Sequence, residues 1–492
     1  MDNDVIVVGA GPVGLLLAAE LKLAGAQPVV LEARHGLNDE KRARGIGPLA
    51  TEALRRRGLG EEIARHDAQG RADFARDHGS DNGHFASIHK IDPALQDEPG
   101  RERTLIWQPE LEKILVSYAT GLGVPIRYGH QVTDLGQDEA GVTVTVTTSR
   151  GDLQLRSSYL AGCDGGRSTV RELVPFDFPG TAPIMTVRRA AARIEDTSAL
   201  PPPGRNDRGT LFYGGGMVAT FDFEDTERRR GPISAEELEA SVRRVSGADV
   251  TITEVGAGLR FTDQARQAGS YRLGRVLLAG DAAHVHSPSG GQGLNLGLLD
   301  AVNLGWKLAA TVAGTAPAGL LDSYHHERHP AGAEVLHNTR AQSALLRPGP
   351  HSDALRDIVA DLMDIPEVNR YFGRMLSGLG LRHDFPYPAT HPLTGRPCPD
   401  LELSLPDGGT TRLYDLTHEG GPIMLHPAPA SPWTGFESVA VTSTGRNDLA
   451  AALVRPDGIV AWAAAPGQPD DATRETALRT WIGDSRQRTS ED

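Results

Sequence analysis

Six residues near the start of the chain restrict its fold more than any other feature. Gly9-Ala10-Gly11-Pro12-Val13-Gly14 follows a β-branched run, Asp4 to Val8, and opens a helical segment from about Pro12 to Leu23. Pro28 to Leu31 reads as a second strand and ends in Glu32. Strand, glycine-rich turn, helix, strand and acid in that order describe a βαβ dinucleotide-binding unit. Gly9 permits the tight turn, Gly11 lets a pyrophosphate approach the backbone, and Gly14 allows the helix to pack closely. The helix N-terminus offers free N–H groups and the positive end of its dipole to phosphate oxygens. Glu32 is placed to accept hydrogen bonds from a ribose diol. The motif alone leaves open whether the dinucleotide is FAD or NAD.

The remaining bounds are broader. At 492 residues the chain exceeds one hydrophobic core and suggests two or three domains. With 64 acidic against 50 basic side chains the net charge is −14, which argues against a nucleic-acid footprint and against attraction to anionic membranes. A small molecule is the expected partner. Cys163 and Cys398 stand far apart, in neither a CxxC nor a His-rich setting, so neither a disulfide framework nor a zinc site is expected. His284 and His286, two apart on a loop, read as packing and hydrogen-bonding groups; no metal is expected. No run reaches the ~18 apolar residues of a membrane helix, and the N-terminus is acidic where a signal peptide is basic. A cytoplasmic protein is expected.

Residues Gly47 to Ala64 and Gln108 to Thr120 read as helices. Gly141 to Thr147 and Asp152 to Ala161 read as a strand pair whose second member runs into Cys163-Asp164-Gly165-Gly166. From about Gly180 to Arg275, Thr-, Phe- and Tyr-rich runs indicate antiparallel strands, broken by a helix from Ser234 to Val245. Val276 to Ala279 returns to the parallel type, a long helix begins near Gly293, and helical sequence continues to about Gly380. The Pro-rich stretch Phe385 to Asp400 reads as a linker to a small C-terminal α/β domain, which ends in a polar tail after Gly483. The expected organisation is a dinucleotide-binding domain over 1–179 and 271–385, a substrate-binding sheet domain over 180–270, and a C-terminal domain over 386–492. Residues of about 70–105 join the substrate side.

Two segments decide which dinucleotide fits. Cys163-Asp164-Gly165 and Gly280-Asp281 both place an acid and glycine at the C-terminal end of a strand, where α/β sheets bind ligands. The GxGxxG, this Cys-Asp-Gly, and Gly280-Asp281-Ala282-Ala283-His284 with Pro288-Ser289-Gly290-Gly291-Gln292-Gly293-Leu294-Asn295 together resemble the p-hydroxybenzoate hydroxylase family. These are the single-component FAD-dependent aromatic hydroxylases, and the resemblance covers nearly the whole chain. Leu304 to Leu308, Leu321 to His325 and Val454 to Trp462 are similar to actinobacterial members that act on polycyclic polyketides and on rifampicin.

The resemblance implies an α/β fold: a Rossmann-like FAD-binding domain of the glutathione-reductase type, an inserted antiparallel-sheet substrate domain, and a C-terminal thioredoxin-like domain, here without a CxxC. It implies a monooxygenase that consumes NADPH or NADH and O2 and hydroxylates a large phenolic or quinonoid substrate through a flavin C4a-hydroperoxide. Monomer and homodimer are both compatible. Baeyer–Villiger insertion, oxidative ring cleavage or rearrangement, and a redox-inert FAD-binding role are alternatives that no residue separates.

The same resemblance implies the site. Asp281, after Gly280, takes the ribityl chain of FAD, while Pro288, Gly290, Gly291, Gly293, Leu294 and Asn295 border the isoalloxazine. The helix near Gly293 points its N-terminus at the pyrimidine edge of the flavin, where negative charge develops on reduction. Asp164 matches a contact shared by FAD and NAD(P)H, Arg44 an arginine near the FAD phosphates, and Gln108 a glutamine near the ribityl chain. Trp107 stands where proline is common in relatives, and its bulk bears on the mouth of the site. Pro12, Ala33, Arg34, Arg42 and Val132 complete the cofactor set. Tyr213 and Met217, in the inserted sheet, are candidates for substrate contact against an ordinary role in the core. His84 and His89 are expected near the entrance, Arg228 to Arg230 on a solvated face, and Trp433 and Trp462 in the C-terminal core.

Overall fold

The computed structural model describes residues 3–40, 42–78, 83–98, 100–226, 229, 231–429, 436–468 and 470–483. Arg228, Arg230, Trp433 and the tail beyond Gly483 lie outside them.

Val5–Val8 and Pro28–Glu32 are buried on both faces, as continuous β-branched runs in a parallel sheet require. They sit in a six-stranded sheet of order Arg272–Leu273, Val276–Leu278, Tyr159–Gly162, Val5–Val8, Pro28–Glu32, Ile126–Tyr128, parallel except for the first pair. Val8 lies opposite both Leu31 and Gly162, and Leu278 lies opposite Gly162. Four strands therefore end in register at one edge. Pro12–Leu23 and Gly293–Val312 pack over the sheet, and Gly305 has no room for a Cβ because Glu20 Cβ would be 2.4 Å away.

Two expected elements divide. The Gly47 to Ala64 helix is two helices, Pro48–Arg55 and Gly60–His78. The chain turns between them to bring Arg57 inside, where it donates to both Glu20 oxygens at 2.7 Å and to the carbonyls of Thr417 and Pro456. The Asp152 to Ala161 strand is also two. Gly151–Ser157 pairs with Val142–Thr148, and Tyr159–Gly162 enters the main sheet after Ser158 and Tyr159 N–H groups donate to the Asp4 carbonyl.

The inserted sheet runs Gly204–Arg205, Gly209–Gly214, Met217–Asp222, Thr186–Ile194, Ile252–Thr262, all antiparallel. Ala235–Ser246 covers one face, capped by the Ser234 hydroxyl, which accepts from Glu237 N–H at 3.2 Å. Helices Asp322–Leu346, Pro350–Leu362 and Pro366–Ser377 follow the long helix.

Phe385 to Asp400 lacks regular structure but is no free linker. Tyr387 donates to the Ala461 carbonyl at 2.8 Å, and Cys398 N–H to that of Gly458 at 2.9 Å. The stretch is irregular because its prolines cannot join a ladder, and it is fixed because its remaining groups can. It leads to a four-stranded thioredoxin-like sheet, Glu437–Val441, Ile423–Pro427, Ala451–Val454, Val460–Ala464, with only the first pair parallel. Trp462 lies in the core between this sheet and Asp471–Trp481. Buried ions join this lobe to the long helices: Arg455 donates to both Glu327 oxygens at 2.7 and 2.8 Å, and Lys307 to Glu327 at 3.0 Å. No helix among the described residues is long and apolar enough to cross a membrane.

Candidate active site

The register of the main sheet gathers residues that the sequence holds far apart. Gly9, Ala33, Cys163-Asp164 and Gly280-Asp281 all follow strands that end at the same edge. Three glycines of the first turn then separate by what surrounds them. Gly9 has φ +106°, and a Cβ there would lie 2.5 Å from the Cys163 carbonyl oxygen. A Cβ on Gly14 would lie 2.0 Å from the Gly9 carbonyl oxygen. Gly11, with φ −76° at the helix N-cap, faces nothing within 4 Å. The protein's own packing demands the first and the last and leaves the space beside Gly11 open.

Glu32 accepts from Ala10 N–H at 2.8 Å and from Arg34 N–H and Nε at 2.9 Å. Burial pushes its carboxyl up, and these donors outweigh that and hold it below the ordinary range. Val132 is buried in the strand that follows, Gln131–Gln137. Asp164 turns toward the helix Thr169–Leu173, where Oδ2 accepts from Val170 N–H at 3.1 Å. Its buried Oδ1 has no partner among the described residues, and burial raises its pKa. A buried carboxylate oxygen without a donor beside Gly9 is a second sign of a polar ligand.

Asp281 projects into the open at the end of its strand, over a buried cluster. Below it Asp300, fully buried, accepts from Gly280 N–H at 3.1 Å, His284 Nε2 at 2.7 Å and Arg328 Nε at 2.8 Å. Burial raises the Asp300 pKa, and Arg328 and His284 more than reverse it. His286 Nδ1 meets the Ser287 carbonyl at 2.7 Å, and a Cβ on Gly293 would lie 3.3 Å from His286 Nε2, so both histidines pack the turn. Pro288 begins a tight bend in which Gly290 and Gly291 both have positive φ, +78° and +64°. A Cβ on Gly290 would meet Leu376 at 2.8 Å, whereas Gly291 faces open space. Gly290 is thus a packing residue, and Gly291 is the one free to border a ring. Asn295 clamps this bend: its Nδ2 donates to the Gly291 carbonyl at 2.8 Å and its Oδ1 accepts from Gly47 N–H at 2.5 Å. Leu294 beside it is half-buried.

Arg44 stacks on Trp107, its guanidinium carbon 5.2 Å from the ring centre, so the tryptophan orients the arginine. Gln108 N–H donates to the Ala43 carbonyl and its side chain to Glu112, both at 2.9 Å. Arg42 is turned toward solvent. Its side chain is 56% exposed and paired with Glu40 at 2.6 Å.

Strand alternation sorts the inserted sheet. Arg188, Ala190, Leu211, Tyr213, Val218 and Thr220 share the face under Ala235–Ser246. Tyr213 lies there and donates to the Pro201 carbonyl at 3.0 Å, which removes it from any substrate face. Met217 lies on the opposite face with Arg189, Phe212, Phe221 and Leu259. Phe212 is 41% exposed, and its ring meets that of Phe221 edge-on at 6.2 Å. The sequence reading named only Met217 on this face; Phe212 and Phe221 join it through the hairpin register, which pairs Phe212 with Ala219 and Thr210 with Phe221. Across from it the hairpin Gly83–Phe85 and Ile88–Ile91 packs with Phe221 and Phe223. The rings of His84 and His89 lie 5.0 Å apart, and burial pushes His84 down to about 4.

Residues 2–339 match the family described as FAD binding domain, and residues 391–485 match the aromatic-ring hydroxylase C-terminal family. The chain belongs to the FAD-dependent aromatic-ring hydroxylases. It is 42% identical to a 12-dehydrotetracycline 5-monooxygenase/anhydrotetracycline 6-monooxygenase of Streptomyces rimosus, over 98% of this chain and 99% of that one. It is 38% identical to a rifampicin monooxygenase of Streptomyces venezuelae, over 98% of each. A solved anhydrotetracycline hydroxylase from Streptomyces rimosus superposes with a TM-score of 0.84 at 40% identity, covering 98% of this chain and 99% of that one.

As an FAD-dependent aromatic-ring hydroxylase the chain is a flavin-dependent monooxygenase with FAD as cofactor. The hydroxylase fold explains the open glycines. Gly11 and Gly291 both leave space where a side chain would stand, and the orphan Asp164 oxygen lies beside Gly9.

Proposed function

We propose that the chain hydroxylates a polycyclic phenol of the polyketide or ansamycin type, using NAD(P)H and O2. The observation that supports this reading is the strand edge that gathers Gly9 to Gly14, Glu32, Asp164 and Gly280-Asp281, together with an inserted sheet that leaves Phe212 half-exposed on one face. Bound FAD supplies the redox chemistry, taking hydride equivalents from NAD(P)H and delivering one oxygen atom of O2 to the aromatic ring.

The chain's own residues supply position and environment. Gly11 and the N-terminus of the helix Pro12–Leu23 would hold the pyrophosphate, Glu32 the ribose, and Asp281 the ribityl chain. Arg44, steadied by Trp107, neutralises phosphate charge. Gly291 leaves bare backbone that would border the ring, and the N-terminus of Gly293–Val312 would stabilise negative charge on the reduced cofactor. Phe212, Met217, Phe221 and Leu259 orient the aromatic substrate and keep water away from it. Arg189, on the same face, favours the electron-rich phenolate form. Reduction by NAD(P)H requires a compartment that supplies it, the cytoplasm.

The test is direct. Purified protein is expected to carry a visible flavin band and to oxidise NADPH faster when anhydrotetracycline or rifampicin is added, with an oxygenated product by mass spectrometry. Protein that takes up no FAD on reconstitution refutes the reading. Protein that binds FAD but consumes no NADPH supports the redox-inert alternative.

A further inference from the structure

Ala86 and Ser87 are the two non-glycine residues with positive φ among the described residues, at +50° and +60°. They form the two-residue tip of the hairpin that faces the inserted sheet. Asn-Gly is the usual occupant of such a tip, and other L-residues there are strained. Strain of this kind persists only where the surroundings enforce it, and at Ala86 they do. Its N–H donates to Gln342 Oε1 at 3.1 Å, and its carbonyl accepts from Arg356 Nη1 at 2.5 Å.

Gln342 does not stop there. Its Nε2 donates to Asn338 Oδ1 at 3.1 Å, Asn338 Nδ2 donates to Gln292 Oε1, and Gln292 Nε2 donates to the Met375 carbonyl at 2.8 Å. The three side chains are 0%, 2% and 5% exposed. Three amides thus run head to tail, all donating in one sense, from the hairpin tip to the residue that follows Gly290 and Gly291. A buried amide without its partners is strongly unfavourable, whereas a fully satisfied chain polarises cooperatively and fixes geometry. A Cβ on Gly290 would lie 3.2 Å from Gln342 Nε2, so the relay also walls the bend itself. Leucine or methionine would fill the same space without setting the relative position of the two segments.

We propose that Gln342 is a positioning residue that ties the hairpin tip on the substrate side to the Gly290–Gly291 bend on the flavin side. A phenol seated against the hairpin shifts the bend through this relay and so accelerates reduction. The inference rests on the flavin reading above. The relay moves no proton and makes no bond; it transmits position.

Hydrogen exchange of the FAD-loaded protein, read by mass spectrometry, tests the tie. In Gln342→Leu, peptides over 83–91 and 287–293 exchange faster together. In Ala86→Gly, which relieves the backbone strain and keeps the fold, 287–293 also changes, although it lies three hydrogen bonds away along the relay. Changes confined to 83–91 in both variants overturn the proposal. The second readout is stopped-flow flavin reduction by NADPH with and without anhydrotetracycline. The acceleration by the phenol falls about tenfold in Gln342→Leu at parental FAD content, a usual size for coupling between sites. An unchanged acceleration, or none in the parent, counts against the proposal. A parent that retains no FAD refutes the flavin reading instead, and the exchange comparison still judges the tie.

Discussion

Asn295 and Gly47, 248 positions apart, are joined by a hydrogen bond of 2.5 Å from the Gly47 N–H to the Asn295 side chain. The other end of the same amide holds Gly291. One side chain therefore sets the distance between the Arg44 loop and the open glycine bend. Asn295→Ala is expected to leave the Gly47 N–H unpaired and weaken FAD binding by about 1–3 kcal/mol. Fluorescence titration of the apoprotein with FAD measures it.

Gly11→Ala and Gly14→Ala separate ligand space from packing space. An alanine at 14 meets the Gly9 carbonyl oxygen at 2.0 Å and is expected to destabilise the fold by about 1–3 kcal/mol or more. An alanine at 11 meets nothing and is expected to alter stability by less than about 0.5 kcal/mol while lowering flavin retention. Thermal unfolding of the apoproteins and flavin content of the holoproteins give the two readings.

The two faces of the inserted sheet give opposite phenotypes. Tyr213→Phe removes the bond to the Pro201 carbonyl and should lower stability by about 1 kcal/mol with KM unchanged. Phe212→Ala should raise KM for the phenol severalfold and leave the unfolding midpoint near that of the parent. An unchanged KM in Phe212→Ala would remove this face from the substrate site.

His383 makes the fold sensitive to mild acid. Burial holds its imidazole near 4 against an ordinary 6.5, even though Glu327 opposes the shift; Arg455, Arg328 and Lys307 reinforce it. The folded state then binds fewer protons than the unfolded state between those values, so stability falls as pH drops from 6.5 toward 4. The loss is on the order of 3 kcal/mol. Denaturant unfolding across that window should show it, and His383→Asn should reduce the dependence to the part that His84 carries.

The dinucleotide groove was legible because its signals are local: glycines, an acid and strand ends a few residues apart. Glu32, Asp164 and Gly280-Asp281 come to one edge as parallel strands require. The division of Gly47 to Ala64 was missed although Gly58, at φ +76° just past the first helix, is a local stop signal; Arg57 beside it then turns inward to Glu20 and to carbonyls more than 350 residues later. The choice between substrate contact and core for Tyr213 stayed open for a different reason. Which sheet face a helix covers depends on where that helix docks, and the alternation shows only that two faces exist. The resemblance to the hydroxylases carried the roles of Asp281 and Asn295, which no spacing rule supplies, and it also carried Arg42, whose nearer partner is Glu40.

The buried ions also determine which parts of this chain are interchangeable. Arg188 satisfies its guanidinium with Asp222, Asp225 and Glu237, all inside the inserted sheet and its helix. Arg455 satisfies its own with Asp457 and with Glu327 of a helix in the cofactor half. A recombinant hybrid that borrows the sheet from a related enzyme carries the Arg188 network with it and has to keep one polar tie across the boundary, from Arg205 to Asp353 and to the Leu346 and Arg347 carbonyls. One that borrows the C-terminal lobe splits an ion network between two parents, and succeeds only where Glu327, Lys307 and Arg455 travel together.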